Sequence, residues 1–295
     1  MRLKVATHLV ILLSLSAFWY SCTESKGNQD AVEKVEAIPN MVYINSGTLN
    51  TVVPYTETKT SQTLKSYYID KSPVTVGEFK KFVKLKSYKT DAEKFGNSPI
   101  FDIKQHGWAM ADSVSYIYPL GKSNGYVASD NHPATQVSWQ DAKYYCECQG
   151  KRLPTDAEWE FAAKSGKGKY PDLYSWGNKM EEGGKHKTNY WQGSFPESNT
   201  QEDGFLYTSP VGYFGESPIG LTDMGGNVWQ WCSDDIQPTP AEAAEDPALR
   251  KVLRGGSFLC DPEVCHGFKV EGRSASTPET GLPHVGFRCV KEVKK

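Results

Sequence analysis

Three segments of the chain carry apolar residues at helical spacing, and each begins with a side chain that can cap a helix. In the first segment, Thr75 precedes Glu78 by three positions, which is the capping-box pattern. Val76, Phe79 and Val83 then fall on one face of a helix. We therefore predict a short amphipathic helix that begins after Thr75.

The other two helices are predicted from the same signals. Ser138 stands three positions before Asp141, and Thr155 stands three positions before Glu158. The third helix is expected to cover residues 156–163. We expect all three helices to form scaffold rather than a functional site.

Short apolar runs predict strands at Met41–Ile44 and at Tyr67–Asp70. Residues 88–131 show mixed turns and aromatic side chains, so we predict loops there. Residues 164–220 are rich in turn-forming residues. The pattern favours a loop-rich chain with few regular elements.

The N-terminal residues have the pattern of an export signal. The apolar run 9–20 follows a short positively charged segment and is too short to span a bilayer comfortably. Ser21-Cys22 resembles a bacterial lipoprotein cleavage site, where the cysteine is acylated; the alternative is an ordinary cleaved signal with a chance cysteine. We predict a periplasmic or cell-surface lipoprotein, held at the membrane through Cys22. The predicted organisation is a signal peptide over 1–21, a flexible lipid-anchored tether over 22–40 and one folded domain over 41–295.

Composition narrows the function classes. The 295 residues carry a net charge of −2, so no basic surface indicates nucleic acid as a partner. The hydrophobic fraction of 38% is sufficient for one large domain or two small ones, and no linker divides the chain after the tether.

Seven cysteines are present, which matters because disulfides persist outside the cytoplasm. If Cys22 is acylated, the remaining cysteines are available for pairing, metal binding or catalysis. Sequence alone does not fix which of them pair.

Several distinctive strings are spread over the chain from about Met41 to its end. They are Pro73-Val74-Thr75-Val76, Val137-Ser138-Trp139-Gln140-Asp141-Ala142, the run from Gly150 to Glu160, Gly225-Gly226-Asn227-Val228-Trp229-Gln230-Trp231, Arg254-Gly255-Gly256-Ser257-Phe258 and Gly286-Phe287-Arg288-Cys289. With these strings the chain resembles the formylglycine-generating enzyme (sulfatase-modifying factor) family. The resemblance implies an irregular, loop-rich α+β fold of the C-type-lectin-like kind.

The resemblance also implies an active site at Cys260 and Cys265, which four residues separate. In that family two such thiolates hold Cu(I), and O2 oxidises a cysteine of a sulfatase polypeptide to formylglycine. A soft monovalent ion suits thiolate ligands, and two thiolates leave room for a third sulfur from the substrate. Without the surrounding motif, a structural disulfide would be the better interpretation of this cysteine pair. Ser257 is implied as a hydroxyl near the reacting thiol, and the substrate-binding positions are Trp229, Arg273, Ser274 and His284. His266 and His284 are open as additional metal ligands.

A family disulfide is implied between Cys146 and Cys289. A second family disulfide is missing, because its two positions hold Ala163 and Val270. Cys148 and Cys232 could pair or stay free.

Two calcium sites are implied by the same resemblance. The first uses the side chains of Asn189 and Asp203 with the carbonyls of Tyr190 and Phe205, and oxygen ligands of this kind suit a hard cation. The alternative is a turn satisfied by its own hydrogen bonds. The second site has Gln230 where the family usually has Glu, which weakens it, and its expected ligands are Asp223, Gly226, Val228 and Gln230.

Three functions are compatible with the resemblance. The first is the copper-dependent oxidase. The second is a non-catalytic lipoprotein that uses the same fold for binding or assembly, as gliding-type members do. The third, an iron-dependent sulfoxide synthase, is disfavoured because the histidines show no H-x3-H-x-E grouping.

Overall fold

The predicted helix caps are present in the computed structural model, which describes residues 36–53, 58–236 and 249–294. In helix α1 (Val76–Lys86), the Thr75 hydroxyl accepts from the Glu78 amide at 3.2 Å, and the Glu78 carboxylate accepts from the Thr75 amide at 2.9 Å. The same reciprocal pair begins α3 (Trp139–Cys148) and α4 (Asp156–Ala163). Cys22, the predicted signal peptide and most of the predicted tether lie outside the described residues.

The prediction that residues 88–131 contain only loops is wrong. They hold helix α2 (Asp91–Phe95) and a hairpin of β5 (Asn97–Asp102) with β6 (Gly107–Asp112). In β6 the large apolar side chains of Trp108 and Met110 are 54% and 62% exposed, so the strand does not show the usual buried apolar face. A 3-10 turn at Lys122–Asn124 follows.

Two sheets carry most of the remaining strands. β1 (Met41–Ile44) and β13 (Val290–Glu292) flank β4 (Tyr67–Asp70) in an antiparallel three-stranded sheet. The second sheet has four strands in the order β11, β10, β9 and β12. Its bounds are Trp229–Ile236 for β9, Arg250–Arg254 for β10, Arg273–Ser276 for β11 and Val285–Gly286 for β12. Two small hairpins complete the set of described strands: β2 (Gly47–Val53) with β3 (Thr58–Leu64), and β7 (Glu181–Glu182) with β8 (Lys185–His186).

The protein is thus an α+β fold in which long irregular segments join short elements. Residues from Ala37 onward form one compact unit. Within the described ranges, no helix is both long enough and apolar enough to cross a membrane.

The predicted disulfide between Cys146 and Cys289 is present and joins α3 to the segment before β13. Cys148 and Cys232 are free, half-buried and buried respectively. Ala163 and Val270, at the positions of the missing disulfide, lie in one buried apolar cluster, where packing replaces the covalent link.

Candidate active site

The strand pair β9–β10 carries the chain to the predicted site. β10 ends at Arg254, opposite Gln230 of β9. Gly255 and Gly256 follow with φ of 98° and 73°, in the left-handed region that favours glycine. The Gly226 amide donates to the Gly255 carbonyl at 2.7 Å and fixes the start of the loop that contains Ser257 and both site cysteines.

A tight turn on Asp261 brings the second cysteine back to the first. The Cys265 amide donates to the Asp261 carbonyl at 2.7 Å and closes an α-turn between these two residues. The Asp261 carboxylate accepts from the Glu263 amide at 2.8 Å. Pro262 suits the second position of such a turn. The local sequence therefore folds so that Cys260 and Cys265 meet.

Cys260 and Cys265 belong to the same packed cluster, close enough for each thiol to shift the pKa of the other, and neither forms a disulfide. Cys260 is buried, whereas Cys265 is half-buried. The Ser257 amide lies 3.4 Å and its hydroxyl 3.8 Å from the Cys260 sulfur. The predicted trio of Cys260, Cys265 and Ser257 is therefore together in space.

The two thiols differ in proton affinity. Burial raises the pKa of Cys260 well above its ordinary value, and the contact with Cys265 raises it further. The hydrogen bond that Cys265 receives from Cys260 lowers the pKa of Cys265. Of the two thiols, Cys265 therefore loses its proton more readily than Cys260.

Trp229 packs in the buried cluster that includes Cys260, with Cys265 packed against it. A Cβ at Gly267 would lie 2.6 Å from Cζ2 of the Trp229 ring, so a glycine two residues after Cys265 is required for this approach. The indole therefore forms a wall beside the thiols, where the resemblance implies it.

Arg273 lies in the interior of the protein and not at the rim of a groove. Its guanidinium donates to Asp156 at 2.8 Å and to Glu160 at 2.7 Å, and its side chain is 9% exposed. These bonds commit Arg273 to an internal ion-pair cluster. Its neighbour Ser274 is exposed on β11.

His284 lies next to Trp229, because its carbonyl accepts from the Trp229 amide at 2.9 Å. The imidazole packs on Trp108 with ring centroids 5.3 Å apart, and its Nδ1 is buried without a hydrogen-bond partner. Burial lowers the pKa of His284 to about 4, so the ring is neutral at physiological pH. His266 is exposed.

A cavity of ≈ 710 Å³ opens beside the loop of the two cysteines. Its lining includes Asp261, Pro262 and Glu263, the three residues that follow Cys260, together with Trp191 and Phe195. The Trp191 amide donates to the Cys260 carbonyl at 3.0 Å. This bond connects the aromatic side of the cavity, formed by Trp191 and Phe195, to the loop of the two cysteines. The cavity is large enough for a polypeptide segment.

The residues of the first implied calcium site are adjacent and partly unsatisfied. The Asn189 side-chain oxygen is buried without a partner, which is what a missing cation would leave. The Asp203 carboxylate accepts from the amides of Tyr190 at 3.0 Å and Phe205 at 2.9 Å. Burial raises the pKa of Asp203, a cost that a bound cation would offset. Asn189 Oδ1 is thus an unpartnered oxygen for a hard cation, whereas the Tyr190 carbonyl accepts from the Gln192 side-chain nitrogen.

The residues of the second implied calcium site do not fit the ion. The Gln230 side-chain nitrogen donates to the Asp223 carbonyl at 2.6 Å, so a hydrogen-bond donor stands where the family's carboxylate would accept a cation.

Within the described ranges, no group of three or more His, Cys, Asp and Glu side chains is placed to hold a metal ion. Cys260 and Cys265 supply only two side chains, one fewer than such a group requires. It fits a soft monovalent ion in low coordination, with a third position left for a substrate thiolate.

Two features of the site were not predicted: the turn on Asp261 and the aromatic wall of Trp191 and Phe195. The sequence Asp-Pro directly after Cys260 is a turn signal. Nothing local in the sequence places residues 191–195 beside Cys260, since that contact depends on the tertiary fold.

Comparisons with known proteins show the family of this chain. The family described as the sulfatase-modifying factor enzyme 1-like domain matches residues 28–293. The formylglycine-generating enzyme of Streptomyces coelicolor is 38% identical over 78% of this chain and 79% of its own length. The enzyme of the same name from Mus musculus is 36% identical over 78% of this chain and 67% of its own.

Other matches show that the fold also occurs without this activity. The inactive C-alpha-formylglycine-generating enzyme 2 of Bos taurus is 38% identical over 77% of each chain. The solved structure of PvdO from Pseudomonas aeruginosa superposes with a TM-score of 0.62 at 21% identity, covering 86% of this chain and 94% of that one, and shows a shared fold. By motif, fold and sequence match, the chain belongs to the sulfatase-modifying factor (formylglycine-generating enzyme) family.

Proposed function

We propose that the protein is a copper-dependent oxidase that converts a cysteine of a sulfatase polypeptide to formylglycine with O2. Cys260 and Cys265 are the proposed Cu(I) ligands, and the protein acts outside the cytoplasm as a lipoprotein acylated at Cys22. The observation that carries the proposal is a pair of free cysteines in one packed cluster, one buried and one half-buried, on a loop whose residues 261–263 line a cavity.

The reaction converts the CH2–SH group of the substrate cysteine to an aldehyde. The carbon–sulfur bond breaks, and the sulfur is released as hydrogen sulfide. Two electrons leave the substrate, and a thiol reductant supplies the other two that reduction of O2 to water requires. When bound, Cu(I) supplies a soft site for the substrate thiolate and the electron-transfer chemistry that O2 needs.

The chain's own residues prepare the site for ligands. The lowered pKa of Cys265 favours its thiolate, whereas the proton of Cys260 is the harder one to remove when both sulfurs become ligands. The Ser257 amide points at the Cys260 sulfur and stabilises its thiolate form. Trp229 excludes water from one side of the pair.

Substrate binding is assigned to the surface around this pair. The cavity beside Asp261 is the proposed place for the polypeptide, and the assignment of Trp229, Ser274 and His284 to substrate binding rests on the family resemblance. Ca²⁺ is proposed at Asn189 and Asp203 with the carbonyls of Tyr190 and Phe205, supported by the unpartnered Asn189 oxygen.

A second candidate is a non-catalytic binding lipoprotein of the same fold. The inactive relative at 38% identity favours it, because a similar sequence there has lost the activity. The two candidates differ in whether the thiols are required.

The test is copper reconstitution of the reduced protein, followed by mass spectrometry of a Cys-x-Pro-x-Arg peptide in air with a thiol reductant. We expect the mass decrease that accompanies conversion of the cysteine side chain to an aldehyde, and its loss in Cys260→Ser. Cys148→Ser is the matched control, since Cys148 is a free thiol outside the site, and it should retain conversion. An unchanged peptide with copper verified in the protein would favour the binding function.

A further inference from the structure

We propose that this protein holds no Ca²⁺ at the second site implied by the family resemblance, and that a buried hydrogen-bonded plug of Gln230 and Arg288 takes the place of the ion. The plug is independent of the thiol chemistry. It concerns how the loop 223–228, which supports the thiol loop, is held in place.

Both ends of the Gln230 amide are committed inside the protein. Its nitrogen donates to the Asp223 carbonyl at 2.6 Å. Its oxygen accepts from the Trp159 indole at 2.9 Å and from Nε of Arg288 at 2.6 Å. With two donors on that oxygen and an N–H directed at a carbonyl, the side chain presents no free lone pair to a cation.

Arg288 supplies a positive charge at the same place. Its guanidinium is completely buried, and its further acceptors are carbonyl oxygens at 2.7–3.2 Å, those of Asp70, Lys71, Thr222 and Asp223. Burial lowers the pKa of Arg288 to about 10, so it stays protonated at neutral pH. Arg288 belongs to a string shared with the family, so what is particular to this chain is that the guanidinium finds an amide oxygen at position 230 and occupies it as a donor.

Both oxygens of the Asp223 carboxylate also accept hydrogen bonds. The two oxygens of Asp223 accept from the Asn227 side chain at 3.1 Å and from the Gly212 amide at 2.7 Å. Calcium affinity depends on the number of charged ligands. One carboxylate opposed by one guanidinium leaves no net negative charge for the ion.

The plug holds the loop 223–228 in place, as a bound ion would otherwise do. From the loop that it anchors, the Gly226 amide donates to the Gly255 carbonyl at 2.7 Å, and the Asn227 carbonyl accepts from the Phe258 amide at 3.0 Å. Support of the thiol loop from this side therefore needs no calcium.

The first arm of the test is a calorimetric titration of the chelator-treated protein with Ca²⁺. We expect one ion per chain, and none in Asp203→Asn, which alters the first site. Asp223→Asn should leave the number of bound ions unchanged. Two ions in the wild type, or a lower number in Asp223→Asn, would overturn the proposal. Complete absence of binding would support the plug and contradict calcium at Asn189, so the two assignments fail separately.

The second arm restores the family's carboxylate. Gln230→Glu removes the N–H that faces the Asp223 carbonyl, so we expect a second bound ion and a Tm that rises with Ca²⁺. Gln149→Glu adds the same charge at an exposed position and should change neither. A folded Gln230→Glu protein that binds no additional ion would contradict the role given to the amide. If that variant does not fold, the Asp223→Asn result decides.

Discussion

At the residue scale, the central feature is the difference in burial and pKa between the two free cysteines of one packed cluster. Cys260 is buried and receives the Ser257 amide, whereas Cys265 is half-buried and receives the Cys260 thiol. A structural disulfide would make the two sulfurs equivalent and inert. Cys260 and Cys265 are instead free, and the lowered pKa of Cys265 favours the thiolate that a soft metal ion requires.

This asymmetry has a consequence in the metal-free reduced protein. Because the pKa of Cys265 is lowered, its alkylation by iodoacetamide should reach its plateau at a lower pH than that of an ordinary cysteine, whose pKa is about 8.5. Cys260 should stay unmodified over the same range. Peptide mass spectrometry separates the two sites.

Cys260→Ala provides the control, since it removes the donor that lowers the pKa of Cys265. The alkylation profile of Cys265 should move to higher pH in this variant. An unmoved profile would show that the thiol contact does not set the charge of Cys265.

At the scale of elements, a buried ion-pair cluster joins α4 to β10 and β11 and fixes the strand that leads into the thiol loop. Glu160 of α4 accepts from Arg254 at 2.6 Å and from Arg273 at 2.7 Å. Lys164 contacts the same carboxylate at 2.8 Å. Arg254 is followed directly by Gly255 and Gly256, so this cluster determines where the loop starts.

Glu160→Gln should lower the free energy of unfolding by about 3 kcal/mol, because it removes one of the two carboxylates that buried Arg254 and Arg273 share, Asp156 being the other. Glu271→Gln is the matched control. Glu271 pairs with Lys164 but is 56% exposed, so its loss should cost no more than about 1 kcal/mol. Urea unfolding of both variants measures the difference, and equal values would contradict the structural role of the cluster.

Several elements were predictable from sequence because their signals are local. The capping boxes at Thr75, Ser138 and Thr155 each mark a helix that the structure contains. Thr90 with Glu93 is the same signal and was missed. The hairpin β5–β6 escaped prediction for a physical reason, since Trp108 faces solvent in β6.

The candidate site was predictable only in part. Cys260, Cys265, Ser257 and Trp229 follow from motif strings, and the structure brings them together. The interior ion pairs of Arg273 do not follow, because its partners Asp156 and Glu160 are more than a hundred residues away in the chain. Long-range pairing of this kind leaves no trace in local sequence patterns.

At the scale of the whole molecule, the disulfide joins the middle of the chain to its end. Cys146 and Cys289 are 143 residues apart. The Cys289 carbonyl also accepts from the Asp70 amide of β4, and the Cys289 amide donates to the Asp70 carboxylate, both at 2.9 Å. The disulfide and these hydrogen bonds therefore hold α3, β4 and the last strand together. Neither cysteine of the disulfide belongs to the thiol loop.

Replacing both Cys146 and Cys289 by alanine should lower the free energy of unfolding by roughly 4–5 kcal/mol, on the loop-entropy argument for a bridge of this length. Cys148→Ser, at a half-buried free thiol, should change stability by no more than about 0.5 kcal/mol. Urea unfolding without reductant gives both values. A double variant as stable as the wild type would show that the bridge contributes nothing measurable.

The claim on which the account depends is that Cys260 and Cys265 form one soft-metal site. The most direct measurement is an anaerobic titration of the reduced protein with Cu(I) against a competing chromophoric chelator. The account predicts one Cu(I) bound per chain, lost in Cys260→Ser and in Cys265→Ser and retained in Cys148→Ser. Undiminished binding after replacement of both Cys260 and Cys265 would contradict it.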